Sequence, residues 1–135
     1  MKFLLDTKII SYAFRNQGQC RTRIQALPTS QLCISSISYF ELAYVLALMP
    51  RPQALEQYCQ DLRQRYDCVN FGIESAKLAG QLRAQLRLAG TPISEYDLQI
   101  AGIALANKLT VVTHNTSEFG RVPGLQVEDW YDAAV

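Results

Sequence analysis

Four acidic side chains and one amide stand at positions where a polar group needs a reason. Asp6 ends the apolar run Phe3-Leu4-Leu5, Glu41 is the only charge between Ile37 and Leu48, and Asp97 opens another long apolar stretch. The turn at 113–118, with Asn115 and Glu118, closes a further short apolar run. Three or four carboxylate or amide oxygens brought together make a hard ligand set, suited to Mg²⁺ or Mn²⁺ rather than zinc. Such an ion activates water and stabilises phosphoryl oxygens, so the chemistry indicated is phosphodiester hydrolysis. Most of these positions also have a plainer explanation. Asp is a preferred helix N-cap, which covers Asp6. Ser94-x-x-Asp97 fits a variant capping box, and Asn115 and Glu118 suit ordinary turn chemistry. Glu41 has no such local explanation. In an apolar helix its carboxylate needs a cation or a proton, because burying an unpaired charge is costly. His114, the only histidine, stands at a strand end, where a lone His is more often exposed or structural than catalytic.

Stepping through the chain shows what would hold these groups. Phe3-Leu4-Leu5 reads as a buried strand of a parallel sheet, followed by a helix from Ile9 to Arg15. Asn16-Gln17-Gly18 breaks it, and a short helix from Cys20 to Leu27 ends before Pro28. Leu32-Cys33-Ile34 is a second strand, and Ser35-Ser36 caps the helix from Ile37 to Leu48. That helix is apolar nearly all round, the mark of a buried helix or of one covered by a partner. Gln53 to Tyr66 is amphipathic, Cys68 to Phe71 suggests a third strand, and Ile73 to Ala89 carries Leu78, Leu82 and Leu86 on one inward face. Ser94 opens a helix reaching Lys108, Leu109 to Thr113 is a fourth strand, and Leu125 to Glu128 a final edge strand. Strands alternating with helices predict a three-layer α/β/α fold around a central, largely parallel sheet of four to five strands. In such a sheet ligands gather at the carboxyl ends of the strands, where Asp6 and the 113–118 turn lie.

The totals narrow the function classes. A chain of 135 residues, 49% hydrophobic and 19% charged, is expected to form a single soluble domain over 1–135. No apolar run is long enough to span a membrane, and the N-terminus does not read as a signal peptide, so the expected address is the cytoplasm. A net charge of +1 gives no overall electrostatic footprint for nucleic acid, so any basic patch must be local. Cys20, Cys33, Cys59 and Cys68 form no C-x-x-C pair, which argues against a zinc site or a redox motif.

Several stretches resemble the PIN-domain proteins, and closely the VapC toxins of prokaryotic toxin–antitoxin pairs. They are Phe3 to Thr7, Ile34 to Leu42, Ala79 to Arg83, Gly90 to Ile93 with Tyr96 to Ala101, and Val112 to Phe119 with Val122 to Leu125. They span nearly the whole length in the family's order. The resemblance implies a Mg²⁺-dependent endoribonuclease with metal-binding carboxylates at Asp6, Glu41 and Asp97. It places a fourth site residue at Asn115 or Glu118, and hydroxyls beside the site at Thr7 and Thr113. It also implies a homodimer and a cognate VapB-like antitoxin whose C-terminal segment covers the groove. One position departs from the family pattern: where Asp-Thr-Asn is usual, this chain has Lys8. An ammonium there can pair with a site carboxylate and oppose Mg²⁺, point at the RNA backbone, or point to solvent.

A ribonuclease would draw phosphate contacts from Arg15, Arg21, Arg23, Arg83 and Arg87, although Arg on helix faces is commonly just solvated. The competing reading is a catalytically impaired binding module of the same fold, with Lys8 filling the metal site. A response-regulator receiver would need an acidic pair after the first strand and an Asp after the third, and neither is present. A haloacid-dehalogenase-type phosphatase would need a second Asp where Lys8 stands.

Overall fold

The computed structural model describes residues 2–132. Five strands form one sheet: β1 (Phe3–Leu5), β2 (Leu32–Ser35), β3 (Asp67–Val69), β4 (Thr110–Val112) and β5 (Val127–Glu128). Their order is β3-β2-β1-β4-β5, and every pairing is parallel. Helices α1 (Thr7–Phe14), α2 (Cys20–Gln25), α3 (Ser36–Leu48), α4 (Gln53–Arg65), α5 (Ile73–Leu88), α6 (Glu95–Asn107) and α7 (Thr116–Phe119) surround it. The three-layer, largely parallel architecture expected from the sequence is the one observed.

Side-chain alternation along the short strands divides the core in two. Phe3, Leu5, Leu32, Ile34 and Val112 face one side, where Ile9, Ile10 and Ala13 of α1 and Leu55, Cys59 and Leu62 of α4 cover them. Leu4, Cys33 and Val111 face the other, under Leu82 and Leu86 of α5 and Leu98, Ala101 and Ile103 of α6. On that side α5 and α6 approach so closely that a Cβ on Gly102 would lie 2.6 Å from the Ser75 carbonyl oxygen and 2.9 Å from the Ala79 Cβ. A hydrogen is all that fits there.

The strand order reverses at β1, which pairs with β2 on one side and β4 on the other. A crevice opens beyond the carboxyl ends of strands at such a switch point. Asp6 continues β1 into it, its backbone N–H donating to the Val112 carbonyl at 2.9 Å, and Thr113 continues β4 into it.

Several element bounds differ from expectation. Helix α1 begins at Thr7, two residues early, because Asp6 caps it directly: its Oδ1 accepts from the Thr7 N–H at 2.8 Å. Strand β3 covers 67–69 rather than 68–71, since the Phe71 N–H is drawn off the sheet to the Ser36 hydroxyl at 3.0 Å. The turn expected at 113–118 runs into the four-residue helix α7, which ends at Phe119 and is too short to carry a sequence period. The larger correction concerns α3. Of its thirteen residues only Ser38 and Leu42 are buried, and Phe40, Tyr44, Val45 and Leu48 are 57%, 64%, 43% and 67% exposed. Hydropathy cannot separate a core helix from one with an uncovered apolar face, and here the second holds.

Candidate active site

The switch-point crevice is lined by Asp6, Thr7, Lys8, Glu41, Ser94, Tyr96, Asp97, Asn115 and Glu118. Four separate elements therefore deliver every acidic or amide side chain singled out in the sequence to one cleft. Asp6 is the fixed point. It is only 5% exposed, with Oδ1 held by the Thr7 N–H and Oδ2 accepting from the Thr113 hydroxyl at 2.8 Å. Burial pushes its carboxyl up to about 6 against these two hydrogen bonds, with the charge of Glu41 adding to the rise.

Thr7 joins α1 to α3. Its hydroxyl donates to Glu41 Oε1 at 2.6 Å and lies 2.8 Å from the Ser38 hydroxyl. Glu41 is half-buried rather than buried, and this hydrogen bond replaces the cation or proton that a buried carboxylate would have required. Ser38, fully buried, was not anticipated as part of the site, although its place one turn before Glu41 on α3 puts both on the same helix face.

Across the cleft stands Asn115, one of the two candidates for the fourth site residue. Its amide nitrogen donates to Asp97 Oδ2 at 3.0 Å and to Glu118 Oε2 at 3.1 Å, so Asn115 and Glu118 both line the cleft. Asn115 is positioned by its own N–H, which donates to the Thr113 hydroxyl at 2.9 Å. Thr113 thus links Asp6 to the α7 turn. Burial and the hydrogen bond to Glu118 push the Asp97 carboxyl up to about 8, and the same bond lowers Glu118. Asp97 also follows the expected cap, with its N–H 3.4 Å from the Ser94 hydroxyl. Its two roles coexist.

The donor types suit a hard divalent cation, while among the described residues no three of the cleft's acids bring ligand atoms within 4.8 Å of one another. The acids offer carboxylate oxygens, Asn115 turns its amide nitrogen to two of them while its Oδ1 accepts from the Ser117 hydroxyl at 3.3 Å, and no imidazole or thiolate lines the cleft. The cleft offsets crowded negative charge with a retained proton and the Asn115 amide, and a divalent ion would do the same more strongly. Lys8 does not take that role. It is exposed at the rim, is the weakest of the influences on Asp6, and takes no part in the ion pairs found among the described residues. The reading in which Lys8 fills the metal site has no contact to support it.

The remaining candidates separate cleanly. Arg21 donates to the Ala13 and Phe14 carbonyls at the end of α1, and Arg23 lies 3.9 Å from Glu128 and over the Trp130 ring, and neither lines the cleft. Arg15 is exposed at the far end of α1 from the cleft. Arg83 and Arg87 are exposed beside the start of α6, Arg83 lying 3.4 Å from Glu95. His114 pairs with Asp129 at 2.8 Å and stacks on Tyr131, a structural place as its isolation suggested. With Asp132 it forms a second acidic group whose ligand atoms lie within 4.8 Å of one another, outside the cleft.

This sheet order and this convergence of acidic residues define a class, and the chain belongs to the PIN domain family, whose model matches residues 3–125. It is similar to the tRNA(fMet)-specific endonuclease VapC of Salmonella typhimurium, with 36% identity over 96% of this chain and 98% of that protein. Among solved structures it resembles DNA-bound VapBC from Salmonella typhimurium, with a TM-score of 0.87 and 37% identity over 96% of this chain and 98% of that one. VapBC2 from Rickettsia felis, bound to a promoter DNA fragment, also gives a TM-score of 0.87, at 29% identity over 96% and 99% of the two chains. The resemblance read from the motifs is borne out in family and in fold.

Proposed function

We propose that this protein is the endoribonuclease toxin of a VapBC-type pair, acting in the cytoplasm as a single domain over 1–135. The observation that carries the reading is the convergence of Asp6, Glu41, Asp97, Asn115 and Glu118 on one cleft at the sheet's switch point. Full-length similarity to a VapC endonuclease supports RNA as the substrate, and initiator tRNA is the first RNA to try.

Asp6, Glu41 and Asp97 would hold the metal, Mg²⁺ or Mn²⁺, with Asn115 and Glu118 completing the set. When bound, the ion supplies an activated water and stabilises charge on the phosphoryl oxygens. The chain's own contribution is to fix the ligands in advance. The Thr113 hydroxyl and Thr7 N–H immobilise Asp6, the Thr7 hydroxyl orients Glu41, and the Asn115 amide holds Asp97 and Glu118 together. The exposed stripe Phe40, Tyr44, Val45 and Leu48 on α3 is the surface we assign to a VapB-like antitoxin, in keeping with the VapBC complexes among the similar structures. A homodimer completes the assembly.

The test is calorimetric titration with Mg²⁺ and Mn²⁺, wild type against Asp97→Asn, with cleavage of initiator tRNA followed on the same preparations. The wild type is expected to bind metal and cut RNA, and Asp97→Asn to lose at least about 100-fold in kcat/KM. A wild type that binds metal but cuts no RNA would defeat the nuclease reading, and one that binds no metal would defeat the metal site.

A further inference from the structure

The carboxylate cleft does not end at its acidic residues. Thr7, Lys8, Glu41 and Tyr96 also line an adjoining groove with Ser11, Phe40, Leu42, Tyr44 and Val45. At about 610 Å³ this groove is of ligand-pocket size. Among the described residues, the aromatic side chains that stand out as large exposed hydrophobics are Phe40, Tyr44 and Tyr96, and all three line it. Phe40 and Tyr96 form a pair, with ring centroids 5.7 Å apart and planes inclined at 52°.

Their positions in the chain matter. Phe40 immediately precedes Glu41 on α3 and Tyr96 immediately precedes Asp97 on α6, so the ring pair joins the two helices where the groove meets the cleft, which Tyr96 lines as well. Lys8 lines both the groove and the cleft, with an ammonium that no carboxylate of the described residues takes up. Exposed aromatic faces beside a free cation are the chemistry that single-stranded RNA selects: bases stack on the rings and phosphates meet the charge. A purely aliphatic docking face would not need the cation.

We propose that Lys8, Phe40 and Tyr96 form the contact for the nucleotide next to the scissile bond, Lys8 meeting its phosphate and the aromatic pair its base. This rests on the nuclease reading above and extends it to substrate positioning. It also gives the departure at Lys8 a use. An ammonium at the rim, clear of the metal ligands, adds attraction for the RNA backbone where a neutral amide would add none. The antitoxin stripe begins at Phe40, so a bound antitoxin would cover the same ring and exclude the nucleotide.

The test measures binding apart from cleavage. In an Asp97→Asn background, which leaves RNA intact, a labelled short single-stranded RNA is titrated by fluorescence anisotropy against the parent and Phe40→Leu, Tyr96→Leu and Lys8→Asn. A series of the same RNA with one abasic site moved along it is titrated in parallel. Either aromatic replacement is expected to weaken binding about 5- to 100-fold, with Tyr96→Phe retaining affinity. One abasic position should reproduce that loss in the parent and add little to the loss in Phe40→Leu. Lys8→Asn should lower the slope of log affinity against log salt by roughly 0.7. The proposal is overturned if the replacements bind RNA like the parent or if the parent binds none. Wild-type cleavage, assayed alongside, reports on the nuclease reading by itself: absence of cleavage with aromatic-dependent binding would sink that reading and leave this contact standing.

Discussion

Thr113 shows how much one hydroxyl can organise. It donates to Asp6 Oδ2 and accepts from the Asn115 N–H, so it ties the end of β1 to the turn after β4. Its bond to Asp6 holds that carboxyl below where burial alone would put it. Thr113→Val keeps the shape and removes the donor, so the Asp6 carboxyl should rise further. The acid limb of the pH–rate profile for RNA cleavage then moves to higher pH, by about half a unit or more, with activity at pH 9 least affected. An unchanged acid limb would mean that Asp6 does not govern it. At this scale the sequence was informative for the acids and much less so for their partners. Asp6, Asp97, Asn115 and Glu118 each end or begin an element, which is visible in one dimension. Glu41 does line the cleft, but the premise that singled it out was mistaken, since it is half-buried and bonded to Thr7 rather than buried and unpaired. Ser38 escaped because its role depends on α1 lying against α3, thirty-one residues away in the chain.

Between elements, the packing of α5 on α6 is the contact most sensitive to a single atom. Gly102→Val would drive two methyl groups against the Ser75 carbonyl and the Ala79 side chain, where even a Cβ at 2.6 Å has no room. Overpacking of this kind costs about 1–3 kcal/mol or more, to be read as a lowered urea midpoint with an unchanged slope. Since α6 carries Asp97, RNA cleavage should fall as well, and a variant as stable as the wild type would show that the helices part easily. Helices of this length were legible from their periods, and α5 and α6 end within one or two residues of expectation. Two features were not. Helix α7 has four residues, less than any period can register, and the exposure of α3 depends on which of its apolar faces the rest of the chain happens to cover.

For the molecule as a whole, the site is a local cost to folding. Asp6 and Asp97 both have carboxyls raised above the usual range, to about 6 and about 8. A raised carboxyl favours the folded state fully at pH values below its unfolded value of 3.8, and that advantage is lost as pH climbs through the folded value. Metal-free protein is therefore expected to melt at progressively lower temperature from pH 5 to pH 9. Asp6 alone contributes roughly 1–2 kcal/mol to the decline over that range. Replacing Asp97 with Asn should flatten its upper part, and saturating Mg²⁺ should flatten all of it. A melting temperature that rises over this range would contradict the charge balance described for the cleft. The same cleft also sets a schedule for the chain's synthesis. Because β1 is completed by β4 and Asp6 by Thr113, the Asp6 carboxylate waits on a partner 107 residues downstream. A nascent fragment ending before Glu118 cannot hold the full set of side chains, so the cleft forms only once the segment through α7 has been made and has folded back against β1.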